Sequence, residues 1–238
     1  MSNVRVWLAV VAAGVVVGAC GAGPSSSPTT SSAPAPEWGS VTGVVATTRG
    51  ELAVYGAGDE SVSYRLPAET EFGSPTTLRV LATHPGRWLE VAVPVRPNGS
   101  RGFVRASDVD LARVEYSIDV DLAAKRLWLN DAEGEVVLET AIAIGSPENP
   151  TPTGEFFVTD VLDTGAEGSA YGPFALGLSA HSDTLSEFGG GDGQIGIHGT
   201  NRPASIGNAV SHGCIRVPNE IVVRLADSLP LGTPVSIR

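Results

Sequence analysis

The most constraining feature of this 238-residue sequence is its punctuation. From residue 41 onward, short apolar runs are cut by Gly, Pro and Asn at intervals of about 8 to 12 residues. Runs at 43–47, 52–55, 77–82, 88–93 and 102–104 set the pattern in the first half. Such spacing predicts short strands joined by turns, as in a small β-barrel or sandwich, rather than long helices. The 29 Gly and 17 Pro favour the same outcome, as does an aromatic content of only 6%. A 42% hydrophobic share with 17% charged residues still supplies a packed core.

The clearest hairpin runs from Trp88 to Val104, with Asn98-Gly99 supplying the turn. Its Trp–hairpin–Gly-Phe-Val-x-x-x-Asp-Val pattern resembles bacterial SH3-like domains and covers residues 40–112. A second segment, residues 113–238, alternates at 116–122 and 126–130, turns at 131–134 and resumes at 136–144. Asn149-Pro-Thr-Pro-Thr-Gly is a rigid loop entering a strand. At 194–199, Ile195 and Ile197 share one face, which places Gln194, Gly196 and His198 on the other. Only Asn219–Ser228 has helical spacing, through Ile221, Val222, Leu225 and Leu229. The expected fold is therefore mainly β, in two parts, with one short helix.

Residues 1–19 pair Arg5 with an uncharged apolar run ending in small residues, the pattern of a secretory signal peptide. Val17-Gly18-Ala19-Cys20 resembles the lipobox of bacterial lipoproteins. That resemblance implies cleavage before Cys20, its acylation, and anchoring to the outer face of the cytoplasmic membrane. Two or more acyl chains anchor stably where one does not. Residues 20–39 then read as a Pro/Ser/Thr-rich tether. The net charge is −11 with no basic run, which argues against nucleic acid as a partner.

The chain has two cysteines, Cys20 and Cys214, so a disulfide framework or a Cys-rich zinc site is excluded. With Cys20 acylated, Cys214 is a lone exported thiol, prone to oxidation unless it has a use. It lies in Ser211-His212-Gly213-Cys214-Ile215-Arg216, sixteen positions after His198-Gly199-Thr200. A thiol attacks as its thiolate, and a nearby histidine can take the proton. Backbone N–H groups around Gly213 and Cys214 are candidate oxyanion donors. These are the parts needed for acyl transfer. A zinc site from His181, His198, His212 and Cys214 is the competing chemistry, but its spacing is unlike zinc motifs and no metal or cofactor is expected. His181 and His84 carry no motif and read as surface or packing residues. Gly189-Gly-Gly-Asp-Gly lacks the Lys-Ser/Thr and helix of a phosphate loop and reads as a mobile loop near the site.

His198-Gly-Thr followed by Ser211-His-Gly-Cys-Ile-Arg resembles the signature of the L,D-transpeptidases of bacterial cell walls. Pro152-Thr153-Gly154 and Tyr171-Gly-Pro-Phe-Ala-Leu carry the same likeness, over residues 114–238. The resemblance implies that Cys214 is the nucleophile and His198 the general base. Gly199 would orient the His198 ring through its carbonyl. His212 would position substrate or shape the oxyanion site. Ser211, Gly213, Arg216 and Tyr171 would contact substrate, with Arg216 standing where many relatives have Asn. The implied substrates are peptidoglycan stem peptides, joined by 3→3 cross-links through a Cys thioester, and carbapenem-type inhibitors are expected to acylate the thiol. Hydrolysis by water would make the chain an L,D-carboxypeptidase. A non-catalytic wall-binding lipoprotein is the third reading.

Overall fold

The computed structural model describes residues 43–57, 61–165, 168–187 and 191–238. The signal-peptide and tether segments, Cys20, Gly189 and Gly190 lie outside the described residues. The first seven strands are β1 (Val44–Thr48), β2 (Leu52–Tyr55), β3 (Val62–Leu66), β4 (Thr77–His84), β5 (Trp88–Ala92), β6 (Arg101–Arg105) and β7 (Val109–Arg113). They form one sheet in the order β3-β2-β6-β5-β4-β1-β7, all neighbours antiparallel. Period-two alternation turns Leu52, Val54, Leu89, Val91 and Val104 inward, as the sequence pattern requires. Gly102 lets β6 cross close to β2, because a Cβ there would lie 2.3 Å from Val54 Cγ1.

The rest of the chain adds β8 (Ser117–Asp121), β9 (Arg126–Asn130), β10 (Val136–Ala141), β11 (Ile144–Gly145), β12 (Gly154–Asp163), β13 (Phe174–His181) and β14 (Gln194–His198). After these come β15 (Ala209–Ser211), β16 (Ile215–Arg216), helix α1 (Asn219–Ser228) and β17 (Pro234–Ile237). Eight strands form a mixed sheet, β10-β9-β8-β17-β12-β13-β14-β16, and β11 pairs with β15. The fold is mainly β, and α1 is the one α-helix among the described residues. It starts after Pro218, buries Val222 and Leu225, and packs against β13 and β14. Helix spacing therefore placed the helix correctly from its apolar positions.

The described residues form one compact unit with two apolar cores. Strand β12 serves both. Successive strand residues point to opposite faces, so Phe156 joins the core around Leu176, Ile197 and Leu225, while Phe157 joins the core around Leu52, Leu78 and Val91. Phe157 is 1% exposed. Truncating a fully buried Phe costs about 3–5 kcal/mol. Phe157→Ala should therefore lower the denaturant midpoint by that stability loss, read by equilibrium unfolding. A loss under about 1 kcal/mol would contradict the packing described.

Hydrogen bonds add to this seam. Asn98, in the loop between β5 and β6, donates from Nδ2 to the His181 carbonyl (2.7 Å) and accepts the His181 N–H on Oδ1 (2.9 Å). Its amide thus completes the end of β13 as a strand neighbour would. Arg96, in the same loop, donates to the carbonyls of Ser182 (2.6 Å), Leu185 (2.9 Å) and Asp192 (2.7 Å). The Asn-Gly signal marked a turn, and Gly99 does adopt φ +81°. The longer loop around it exists to grip the second sheet.

Candidate active site

Register brings the two sequence motifs together. Strand β14 pairs in parallel with β16, so His198 is opposite Arg216 and Ile197 opposite Ile215. Cys214 sits just before β16, and its Sγ accepts the Gly196 N–H at 3.4 Å. His198 and Cys214 line the same cavity of about 390 Å³. A smaller cavity of about 100 Å³ is lined by Tyr171, His198, Ser211, His212, Cys214 and Arg216. The structure thus gathers Tyr171, His198, Ser211, His212, Cys214 and Arg216, while Gly199 and Gly213 contribute through their backbone.

The turn carrying Cys214 is held by Ser211. Its hydroxyl accepts the Gly213 N–H (3.1 Å) and donates to the Cys214 carbonyl (2.6 Å). Thr151 is buried below and donates to the Gly213 carbonyl at 2.8 Å, while accepting the Gly145 N–H at 2.8 Å. Gly213 has φ +117°, and a Cβ there would lie 2.8 Å from Ile195 Cδ1. Glycine is required by this backbone and by the core beneath it. The expectation of a Gly213 oxyanion donor changes accordingly, because that amide is already bound to Ser211. The Cys214 N–H makes no hydrogen bond among the described residues. It is the amide of the turn that remains unengaged.

His198 is 5% exposed, and its Nδ1 lies 2.6 Å from the Gly199 carbonyl oxygen. A carbonyl only accepts, so Nδ1 carries the proton and Nε2 keeps the basic lone pair. Gly199 itself is fixed from behind. Asn219, the first residue of α1, accepts the Thr200 N–H on Oδ1 at 2.7 Å. That oxygen would lie 2.4 Å from a Cβ at Gly199 and 2.5 Å from one at Gly172. Two glycines and an asparagine therefore let three segments cross closely and aim the Gly199 carbonyl at the ring. Asn219, Thr151, Gly172 and Gly196 were not read from the sequence as site residues. Their contacts span 18 to 62 positions, and no local periodicity reports such contacts.

The electrostatics favour a neutral resting pair. Burial pushes His198 down to about 4; the bond to Gly199 opposes the shift and the Arg216 charge adds to it. Burial pushes the Cys214 thiol up, against the Gly196 N–H and the Arg216 charge. Around neutral pH the site therefore holds a thiol and an uncharged imidazole. Tyr171 meets His198 edge-on, ring centroids 4.8 Å apart, and its phenol is raised by burial and by the charge of a Cys214 thiolate. His212 is exposed beside the smaller cavity, and Arg216 is half-buried. His181 does not join the site histidines: it is buried at the end of β13 and bonds Asp192. Among the described residues, no group of three or more His, Cys, Asp or Glu is placed to hold a metal ion.

Residues 115–237 match the family model of the L,D-transpeptidase catalytic domain, YkuD. The chain belongs to this family. It is 40% identical over 124 residues to the L,D-transpeptidase YkuD of Bacillus subtilis, covering 52% of this chain and 66% of that one. It is 38% identical over 108 residues to the L,D-transpeptidase YqjB of the same organism, covering 41% of this chain and 57% of that one. The matches thus span less than two thirds of the length of these relatives. Among solved structures, an Enterococcus faecium L,D-transpeptidase with its cysteine changed to serine is 27% identical, at a TM-score of 0.40 over 52% of this chain and 50% of that one. This L,D-transpeptidase domain carries the motif residues on β14, on the turn before β16, and on β16 itself.

Proposed function

We propose that the chain forms 3→3 peptidoglycan cross-links through a thioester on Cys214. Cys214 attacks the carbonyl of the third residue of a tetrapeptide stem as His198 Nε2 takes the thiol proton. The tetrahedral oxyanion meets the Cys214 N–H. His198 then returns the proton to the leaving amine, and the terminal D-residue departs. An amine of a second stem attacks the thioester with His198 again as base, which forms the new amide and frees the thiol. Two acyl transfers replace one more difficult step.

The observation that carries this reading is the Nδ1 contact to the Gly199 carbonyl, which leaves Nε2 basic in the cavity that also holds Cys214. Arg216 is assigned to a substrate carboxylate, by its planar fork and its place in the smaller cavity. Tyr171 and His212 border the same cavity and position the stem, with Ser211 and Gly213 holding the turn. Carbapenem-type compounds are expected to acylate the same thiol. We further assign residues 40–112 to an SH3-like domain beside the catalytic domain of residues 113–238. Cys20 is assigned as the lipid-anchored residue, placing the domains outside the cytoplasmic membrane to act in the cell wall.

The test is incubation of the protein with a defined disaccharide-tetrapeptide, followed by mass analysis of products. A dimer with loss of one terminal D-residue is expected. A tripeptide monomer alone would make the protein an L,D-carboxypeptidase, and no product would leave a wall-binding role.

A further inference from the structure

We propose that Asp160 forms a subsite for a primary ammonium group and selects stem peptides whose third residue carries a free side-chain amine. The proposal rests on the reading of Cys214 as the thiol that such peptides acylate.

The geometry is a row across the sheet. Asp160 on β12 is opposite Gly177 on β13, and Gly177 is opposite Gly196 on β14. Cys214 Sγ lies against Gly196. Directly paired strand residues present their side chains on one face. Gly177 and Gly196 therefore floor a trough in the thiol's cavity, with Cys214 beside Gly196 and the Asp160 carboxylate, which lines the adjoining cavity, beside Gly177. Two strand spacings separate Asp160 from Gly196, roughly 10 Å. That span suits a carbonyl held at the thiol and an extended diamino-acid side chain reaching along the floor. A Cβ at Gly177 would lie 3.1 Å from both Asp160 Oδ2 and Thr159 Oγ1, so any side chain there would fill the trough beside the carboxylate.

The carboxylate is built in and unfinished. Asp160 is 0% exposed. Oδ1 accepts a hydrogen bond from Thr70 Oγ1 at 2.5 Å, contributed by the first part of the chain. Oδ2 is buried without a partner. A buried carboxylate with one oxygen unsatisfied is costly unless a counter-charge meets it. Asp160 forms no ion pair among the described residues, and neither an arginine nor a lysine lines the main cavity or the adjoining one of about 170 Å³. The two cavities adjoin, with Glu71, Phe72, Asp192 and Gln194 lining both. Their charged lining is acidic.

The adjoining cavity is lined by a second residue with a buried atom that has no partner. His181 Nε2 lies 2.9 Å from Asp192 Oδ2, and its Nδ1 is buried without a partner. A carboxylate accepts, so Nε2 carries a proton. The orphaned Asp160 oxygen needs a donor. An ammonium supplies three N–H donors, a positive charge and no acceptor. A neutral hydroxyl or amide would bring an acceptor into a lining that offers it little.

The test uses the full chain and stem tetrapeptides that differ only at the third residue: lysine, Nε-acetyl-lysine or norleucine. Acylation of Cys214 is followed by intact mass. The wild-type protein is expected to prefer the free amine by about 10- to 100-fold in the second-order rate constant. Asp160→Asn keeps an acceptor for Thr70 and is expected to reduce that preference to within about threefold, through the lysine peptide alone. Its acylation by a carbapenem should not change. Equal wild-type rates for lysine and norleucine peptides would overturn the proposal without any variant. So would a preference that survives in Asp160→Asn. If a carbapenem acylates the wild-type thiol and none of the peptides does, the transpeptidase reading itself fails and this proposal with it.

Discussion

Replacing Cys214 with alanine should abolish product formation from a tetrapeptide stem, a loss of about 10⁴-fold or more, and leave the fold intact. Cys214 is partly exposed, and its side chain contributes one long hydrogen bond, from Gly196. The turn that carries it is held by backbone atoms of Gly213 and Cys214, through Ser211 and Thr151. None of those bonds involves the thiol. Removing Sγ therefore removes the nucleophile and little else, and the unfolding midpoint should match the wild type within the error of a melt. Residual turnover within about tenfold of wild type would remove Cys214 from the chemistry.

The second large effect is expected at His198. General-base catalysis by a positioned histidine is worth about 10²- to 10⁴-fold. His198→Asn keeps an N–H to donate to the Gly199 carbonyl but has no basic nitrogen in place of Nε2. Acylation should slow by that factor, with the fold retained. A pH signature accompanies it. Folding lowers the His198 value from 6.5 to about 4, so the unfolded chain takes the proton first as pH falls. The stability contributed by neutral His198 is complete above about pH 6.5 and is lost as pH drops toward about 4. The loss amounts to roughly 3 kcal/mol. In His198→Asn that part of the acid destabilisation should be missing, as read from urea midpoints at pH 7 and pH 4.5. The low-pH limb of wild-type acylation should likewise lie near pH 4 rather than near 6.5. An acid limb near 6.5, or an unchanged rate in the variant, would contradict the neutral-pair description.

Much of this site was legible because its reacting groups are contiguous in sequence. His-Gly-Thr and Ser-His-Gly-Cys-Ile-Arg each occupy a single short stretch, and the chemistry of thiol and imidazole is intrinsic to the residues. The strands were legible for the same reason, since period-two alternation and turn residues are local. What stayed hidden is long-range. Nothing near Phe157 says that it fills the core of the first sheet while Phe156 fills that of the second. Asn219 looked like the start of a helix, which it is, and its second role behind Gly199 depends on a crossing with Gly172. Gly213 was expected to contact substrate and offer an oxyanion donor, which does not say why it must be glycine. Its positive φ and the Ile195 side chain beneath it give the structural reason, and the amide it seemed to offer is bound by Ser211. Asp160 was invisible as a functional residue because its setting is made by Thr70, 90 positions earlier, and by a glycine on the next strand.

The most direct test of acyl transfer through Cys214 is the mass of the protein during turnover. Wild-type protein mixed with a tetrapeptide stem and quenched in acid should gain the mass of the stem minus that of the free D-amino acid released. Peptide mapping should place that adduct on Cys214, and the Cys214→Ala variant should gain nothing. A gain equal to the whole tetrapeptide, an adduct on another residue, or an adduct on the alanine variant would contradict the account.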